Sequence, residues 1–542
     1  MTFINNIFWR NTKKECKAII GLLLLFTTNT LLAKDYSPNV LLITVDDLNA
    51  WVGALNKNPL AKTPNIDKLA AKGISFTNAH TAAPVCAASR ASLMSGVFPH
   101  KSGFYTNGNH KANAHNVIDK VPHLAQLFRE SGYTTIGAGK IYHRWVTDGN
   151  EQLDAATYDQ FLPLETVFPT QDMLANGEGY KGYKFYPFPD GGTRLKRELN
   201  VTKGTSLSAG PVQRTKMRDG EMPDEVIANW AVDRLNQYSK NAKQARKPFF
   251  MTLGFLRPHV PFAAPKEYFD MFPLDKIDLP KTDNMKDIPL YGKAMTMGII
   301  PGGDHGAVLS LGDTFWKELI QGYLASIAFV DAQVGLVLDA IENNGLSNNT
   351  LIILTSDHGQ NLGEKSNWRK MSLWEESTRV PFIVSSGSIK SKGEQVNAAV
   401  SLLDVYPTLV SYLKLPQQSH LDGHDLTPLL NNPNMSWDKP SLIAWRYKNF
   451  AVRSNRYRYI QYRDGTEELY DHVNDPLEQI NLAGKIEANN VITKLKQYIP
   501  SNVALPHDKD IWQGDVLDKF ISDWQKNGQP TWLNPADKFI RN

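Results

Sequence analysis

Two apolar runs that each stop on a charged pair constrain this chain more than any other feature. Asn39 to Val45 carries Val-Leu-Leu-Ile-Thr-Val straight into Asp46-Asp47, and Thr350 to Ser356 runs into Asp357-His358. Short, continuously apolar runs of this kind are strands buried on both faces, as in parallel sheets. Helical segments (Asn65 to Lys72, Val121 to Ser131, Pro223 to Asn236, Trp316 to Asn343) alternate with further apolar runs at Phe249 to Leu253 and Phe382 to Val384. The alternation predicts an α/β fold, a large and mostly parallel sheet flanked by helices. Open sheets of this class meet their ligands beyond the carboxyl ends of the strands, where these acids stand.

Adjacent Asp46 and Asp47 at a strand end repel each other, and burying either unpaired is expensive, so a cation is a natural partner. Taken alone, the pair reads equally well as a helix cap or a surface turn. Asp357 and His358 at a second strand end add a carboxylate and a neutral donor, and the oxygen-rich set favours Ca²⁺ or Mg²⁺ over zinc.

The chain has two cysteines, Cys16 and Cys86, among its 542 residues, so no disulfide framework and no thiolate cluster holds it together. Cys86 opens the segment Cys-Ala-Ala-Ser-Arg-Ala-Ser-Leu-Met-Ser-Gly. Ser89 to Met94 is expected to be helical, which sets Cys86 near a positive helix end with Arg90 close by, a setting suited to an anion. A lone cysteine is more often an inert core residue, but its small and polar neighbours argue against that here.

Lys13, Lys14 and Lys17 precede the apolar run Ala18 to Phe26, and Leu31-Leu32-Ala33 follows. Residues 1–33 are expected to be a signal peptide cleaved after Ala33, with no membrane anchor, and the mature chain to be periplasmic or secreted. Cys86 is then the one cysteine left. The formal charge of +4 falls to near +1 once this segment is set aside, which speaks against nucleic acid as a partner.

Two stretches interrupt the alternation, roughly Asp148 to Met222 and Phe272 to Asp313, and read as long functional insertions. In the first, Arg194, Lys196, Arg197, Arg214, Lys216 and Arg218 read as a solvated loop or as the lining of an approach for a polyanion, and Tyr180, Tyr183, Phe185, Tyr186 and Phe188 as the loop's own small core more often than as a stacking surface for flat rings. After Thr427-Pro428 come short aromatic strands (Ser441 to Trp445, Phe450 to Arg453, Tyr457 to Tyr462, Glu467 to Tyr470) with a turn at Asp464-Gly465. They predict a small antiparallel α+β subdomain. The expected division is a signal peptide at 1–33, a catalytic domain at 34–430 and a C-terminal subdomain at 431–542.

The segment beginning at Cys86 resembles the signature of type I sulfatases, with Ala88 where proline is usual. Leu-Ile-Thr-Val-Asp-Asp, Thr63-Pro64-Asn65-Ile66-Asp67, Gly139-Lys140-Ile141-Tyr142-His143, Arg257-Pro258-His259-Val260-Pro261-Phe262 and Ser356-Asp357-His358-Gly359 with Leu362-Gly363-Glu364 stand in that family's order. The Lys140 to His143 spacing, the Arg-Pro-His-Val-Pro segment and His358 are most similar to the iduronate-2-sulfatase branch. The resemblance implies an alkaline-phosphatase-like fold and a formylglycine (3-oxoalanine) made from Cys86 by a formylglycine-generating maturation enzyme. It implies that Asp46, Asp47, Asp357 and His358, with residue 86, hold Ca²⁺. By the same match, Arg90, Lys140 and Lys370 hold the sulfate, and His143 and His259 are the acid/base pair, with His259 also touching substrate. Lys365 stands where that branch usually has histidine; Lys365 and Gln360 are expected to set sugar specificity. The expected reaction is hydrolysis of sulfate esters on a carbohydrate such as ulvan, another algal glycan or a glycosaminoglycan. A phosphodiester or phosphonate monoester hydrolase is the alternative, and a binding protein without turnover is disfavoured because it has no need of an oxidisable nucleophile.

Overall fold

Apolar alternation decides which residues face which layer, because successive strand side chains point to opposite faces of a sheet. The computed structural model describes residues 37–107, 118–143, 157–163, 193–194, 207–212, 220–241, 247–281, 285–296, 303–506, 521–522 and 525–527. In chain order the main-sheet strands are β1 (Asn39–Val45), β2 (Ile74–Phe76), β3 (Thr134–Gly139), β4 (Gln160–Leu162), β5 (Phe249–Phe255), β6 (Thr350–Ser356), β7 (Phe382–Ser385) and β8 (Glu394–Val396). They form one sheet in the order β8-β2-β7-β6-β1-β5-β3-β4. Pairings among β4, β3, β5, β1 and β6 are parallel, as is β8 with β2; β7 is antiparallel to both of its neighbours. The sheet is therefore mostly parallel but mixed, and the reversal at β7 lies in the pairing, which periodicity does not encode.

Leu41, Ile43 and Val45 of β1 face one core layer and Val40 and Leu42 the other. The first layer is closed by helices α1 (Pro64–Ala71), α4 (Pro223–Lys240) and α5 (Asp313–Asn343), through residues such as Ile66, Ile227, Leu235, Tyr323 and Val334. The second is closed by α2 (Cys86–Ser95), α3 (Leu124–Glu130) and α6 (Val405–Tyr412), through Leu93, Phe128 and Leu409. Fully burying one such side chain contributes about 1.5–3 kcal/mol, so these two layers fix the strand ends on which the charged residues sit. Helix α3 starts later than the expected Val121 because Pro122 and the extended His123 precede it. The second insertion holds helical turns of its own at Leu290–Thr296 and Gly303–Leu311.

The C-terminal strands β9 (Ser441–Ala444), β10 (Phe450–Arg453), β11 (Tyr457–Gln461) and β12 (Glu467–Asp471) form an antiparallel meander. Its inner residues Ile443, Trp445, Ile460 and Tyr470 share a cluster with Val85, Ala87, Ala88 and Ala91, so the meander packs against the helix that begins at Cys86. Lys196, Arg197, Arg214, Lys216, Arg218 and the aromatic set from Tyr180 to Phe188 lie outside the described residues; of Arg194 only the backbone is described, in the strand Thr193–Arg194.

Candidate active site

Strand register brings the acids together. Val45 pairs with Ser356 across two adjacent parallel strands, so Asp46 and Asp357 leave the sheet side by side. Asp47 then turns in a left-handed conformation (φ 64°), and its N–H donates to Asp357 Oδ1 at 3.1 Å. The next strand outward on that side, β5, allows a third group in. At Gly254 a Cβ would stand 2.0 Å from the carbonyl oxygen of Lys140, so the absent side chain is what lets the Lys140 backbone cross there.

Helix α2 delivers Cys86 and Arg90. Val85 is extended and Cys86 is the first helical residue; Gly96 ends the helix at φ 72°. Arg90, one turn on, is fully buried: Nε donates to Asp357 Oδ2 at 2.8 Å and Nη2 to Asp46 Oδ1 at 3.3 Å. Lys140 Nζ pairs with Asp46 Oδ2, and Lys370 Nζ with Asp47 Oδ1 at 2.6 Å. His358 Nε2 lies 3.2 Å from Cys86 Sγ and 3.5 Å from both Asp47 Oδ1 and Asp357 Oδ2. His143 is hydrogen-bonded to Cys86, and its Nδ1 is buried without a partner. His259 Nδ1 donates to Val260 O at 2.6 Å.

The charges bias one another. Burial works against the Cys86 thiolate, yet Lys140, Lys370 and His358 hold the thiol well below its usual range. Burial likewise opposes the Asp46 carboxylate, and Lys140, His259 and Arg90 more than offset it. Burial opposes the Lys370 ammonium, but Asp47, Cys86 and Asp46 together push it up to about 12, and His358, beside Asp357 and Cys86, goes up to about 9 despite burial. Burial keeps His143 below the ordinary histidine value.

Ligand atoms of Asp46, Cys86, Asp357 and His358 all lie within 4.8 Å of one another, as do those of Asp47, Cys86 and His259. Asp47 Oδ2 is buried with no hydrogen-bond partner, a costly arrangement for a carboxylate oxygen unless a cation takes it. Three carboxylates converging with one free oxygen suit a hard divalent cation.

Two expected residues fall differently. Gln360 is buried next to His358 and Gly359, and both ends of its amide lack partners. Lys365 is not brought to the Cys86 cluster; its ammonium reaches Tyr470 of β12, and it lines a cavity of 330 Å³ with Trp51, Lys57, Trp374 and Glu376. Some supporting residues gave no local signal in the sequence. Tyr323 of α5 donates to Asp47 O at 2.7 Å, and Asp224 at the start of α4 accepts the N–H groups of Leu256 (2.6 Å) and Arg257 (3.1 Å). Arg257 in turn donates to His259 O at 3.1 Å, so a buried acid more than thirty residues upstream holds the turn that presents His259.

Residues 38–415 match the family described as Sulfatase, and residues 363–504 the family described as N-sulphoglucosamine sulphohydrolase, C-terminal. A protein of Formosa agariphila named Sulfatase is 36% identical over 482 residues, covering 86% of this chain and 87% of that one. The iduronate 2-sulfatase of Homo sapiens is 30% identical over 492 residues, covering 78% and 84%. Among solved structures, a 2-O GAG sulfatase is similar in fold, with a TM-score of 0.65 at 22% identity over 92% of this chain and 96% of that one.

Proposed function

Because the chain belongs to the sulfatase family and is a sulfuric ester hydrolase, we propose that its substrate is a sulfated carbohydrate and that it works through a formylglycine made from Cys86 beside a calcium ion. The observation that carries this reading is the setting of Cys86: buried, first in its helix, and ringed by three carboxylates, His358 and the cations Arg90, Lys140 and Lys370. A packed, inert cysteine has no use for such a ring. Asp46, Asp47, Asp357 and His358 are the residues that would hold the ion with residue 86. When present, the formylglycine supplies an oxygen nucleophile and the calcium ion the positive charge that favours it.

The chain's own groups do the rest. Lys140 and Lys370, whose ammonium heads sit on carboxylates at one end of the site, hold sulfate oxygens together with Arg90, where charge moves toward the leaving oxygen. His143, hydrogen-bonded to residue 86 and held neutral by burial, takes a proton there. His259 has its Nδ1 committed to the Val260 carbonyl, which orients the ring and leaves Nε2 to protonate the departing sugar oxygen. Gln360, with its amide unpartnered, is the group we give to the sugar.

The likeness to an iduronate 2-sulfatase supports a uronate-containing sulfated glycan such as a glycosaminoglycan, with ulvan or another algal glycan within the same proposal. The proposal includes export to the periplasm or beyond after loss of residues 1–33, no membrane anchor, and a formylglycine-generating enzyme as maturation partner. Mass spectrometry of the Cys86 peptide from active enzyme is expected to find the aldehyde, and sulfate release from defined sulfated oligosaccharides is expected to exceed hydrolysis of phosphate diesters and phosphonate monoesters. Full activity with an unmodified thiol would sink the mechanism. Faster phosphonate hydrolysis would move the substrate class to the alternative.

A further inference from the structure

Lys370 sits at the end of a hairpin whose backbone is costly to hold. Asn361–Leu362 pairs with Trp368–Arg369, and from Gly363 to Met371 five residues are left-handed: Gly363 (φ 117°), Lys365 (50°), Ser366 (53°), Arg369 (66°) and Met371 (78°). Four of the five carry side chains, which disfavour this region, so outside contacts must fix the path. Trp316 is one such contact. A Cβ at Gly363 would stand 2.1 Å from its ring, and its indole N–H donates to Leu362 O at 2.7 Å. Trp368 donates to His305 Nδ1 at 3.2 Å, and Arg369 Nε meets Asp304 Oδ2 at 2.7 Å. Beyond Lys370, the Met371 N–H donates to Pro84 O at 3.1 Å, two residues before Cys86.

The tip of the hairpin has its own anchor. Lys365 Nζ lies 4.4 Å from the centre of the Tyr470 ring and 5.0 Å from that of Trp374, and donates to Tyr470 Oη at 3.2 Å. The Tyr470 hydroxyl donates a hydrogen bond to Glu468, which also accepts from Tyr462 (2.5 Å) and from the Trp374 indole (2.9 Å). The lysine charge is thus met by a carboxylate through one bridging hydroxyl, inside a box of aromatic rings. Lys365 is only 5% exposed, so the box, and not solvent, decides where it points.

We infer that Lys365 is a positioning residue: by fastening the hairpin tip to Tyr470 and Glu468 of the C-terminal sheet, it fixes where Lys370 presents its ammonium to the substrate's sulfate. The inference rests on the sulfate-holding part given to Lys370 above. It replaces the expectation that Lys365 reads the sugar, and it gives the C-terminal meander a direct hold on the sulfate pocket.

The experiment compares Lys365→Met, Lys365→Arg, Tyr470→Phe, Lys370→Ala and the Lys365→Met/Lys370→Ala double variant in the matured enzyme. A displaced holding group costs about 10- to 100-fold. Lys365→Met is expected to lower turnover of nitrophenyl sulfate and of a sulfated sugar by one common factor in that range, and to weaken inhibition by inorganic sulfate. Lys365→Arg should recover part of the loss. On the Lys370→Ala background the change should vanish, because coupled residues are not additive. Tyr470→Phe removes one hydroxyl and leaves the packing, so it reads the same effect if Lys365→Met folds poorly. A change in the ratio of sugar to aryl rates, or full additivity with Lys370→Ala, would overturn this inference alone. A fully active Lys370→Ala would overturn the sulfate-holding reading and this inference with it.

Discussion

Among the described residues, two clusters of buried charge, around Cys86 and around Glu375, are built differently. Around Glu375 and Glu478, as around Cys86, acids and a histidine bring their ligand atoms within 4.8 Å of one another. Here, however, guanidinium forks complete the set: Glu375 Oε2 meets Arg458 Nη2 at 2.5 Å and Arg453 Nε at 3.2 Å, while Glu478 Oε1 meets Arg458 Nε at 2.6 Å and His472 Nε2 at 2.9 Å. Glu478 Oε2 accepts the Glu375 N–H at 3.0 Å, so both Glu478 oxygens and Glu375 Oε2 are engaged. The Cys86 cluster has one guanidinium of this kind, Arg90 across Asp357 and Asp46, but it leaves Asp47 Oδ2 without a partner and meets the other oxygens of Asp46 and Asp47 with lysines. A guanidinium fork locks a carboxylate in one geometry, whereas an ammonium head on a flexible stem can let go and grip an incoming oxyanion. The first arrangement closes a structure and the second keeps a site usable.

The largest effect expected from this difference is at Asp47. Asp47→Asn keeps the shape but removes the charge of the one carboxylate here whose Oδ2 is buried without a partner, so bound calcium and about a thousandfold or more of turnover should be lost together. Elemental analysis and sulfate release check both. An Asp47→Asn enzyme that kept a full complement of calcium would break the comparison on its catalytic side.

On the other side, Arg458→Met strips the fork from two buried carboxylates. Breaking a buried pair by removing one partner costs about 3–5 kcal/mol, so unfolding should move to lower denaturant while turnover per folded molecule stays near wild type. Burial opposes the charged form of Glu478, and Arg458 with His472 holds it down to about 2; without the guanidinium, burial would push the carboxyl back up, so the variant's loss of stability should come with proton uptake by Glu478. A drop in turnover per folded molecule matching that of Asp47→Asn would show that the two clusters do not differ in kind.

What could be read from the sequence follows the same line between local and distant partners. β1 and β6 run over the residues their apolar pattern marks, and the acids after them fall where open α/β sheets place ligands. The helix at Cys86 is three residues longer at its start than Ser89 to Met94 suggests, which makes Cys86 itself the first helical residue. These features depend on neighbours a few positions away. Lys365 depends on Tyr470, 105 positions on, and the Glu375 cluster on Arg458 and Glu478 from the far end of the chain. Nothing in the composition of the Gly363 to Met371 segment announces five left-handed residues, because strain is bought by contacts made elsewhere. The same holds for the antiparallel β7, whose direction is set by its pairing partners.

The smallest expected effect tests a third way of burying a titratable group, which is to keep it uncharged. His305 accepts the Trp368 indole N–H on Nδ1 and stacks edge-on against Trp316, 5.1 Å between ring centres, beside the hairpin that carries Lys370. Burial pushes it down to about 4. In the unfolded chain a histidine titrates near 6.5. As pH falls below that value the unfolded state takes up a proton that the folded state refuses until about pH 4, so this group's contribution to stability is complete above about 6.5 and is lost progressively below it. At about pH 5 the loss amounts to about 2 kcal/mol. His305→Gln keeps an acceptor for Trp368 but cannot titrate. The difference in unfolding midpoint between about pH 7.5 and about pH 5 should therefore be smaller in the variant than in wild type. Other buried histidines, His80 and His100, are shared by both proteins and cancel in the comparison. Equal pH dependence in the two would mean that His305 is not held neutral, and that the hairpin's grip on Lys370 owes nothing to an uncharged imidazole.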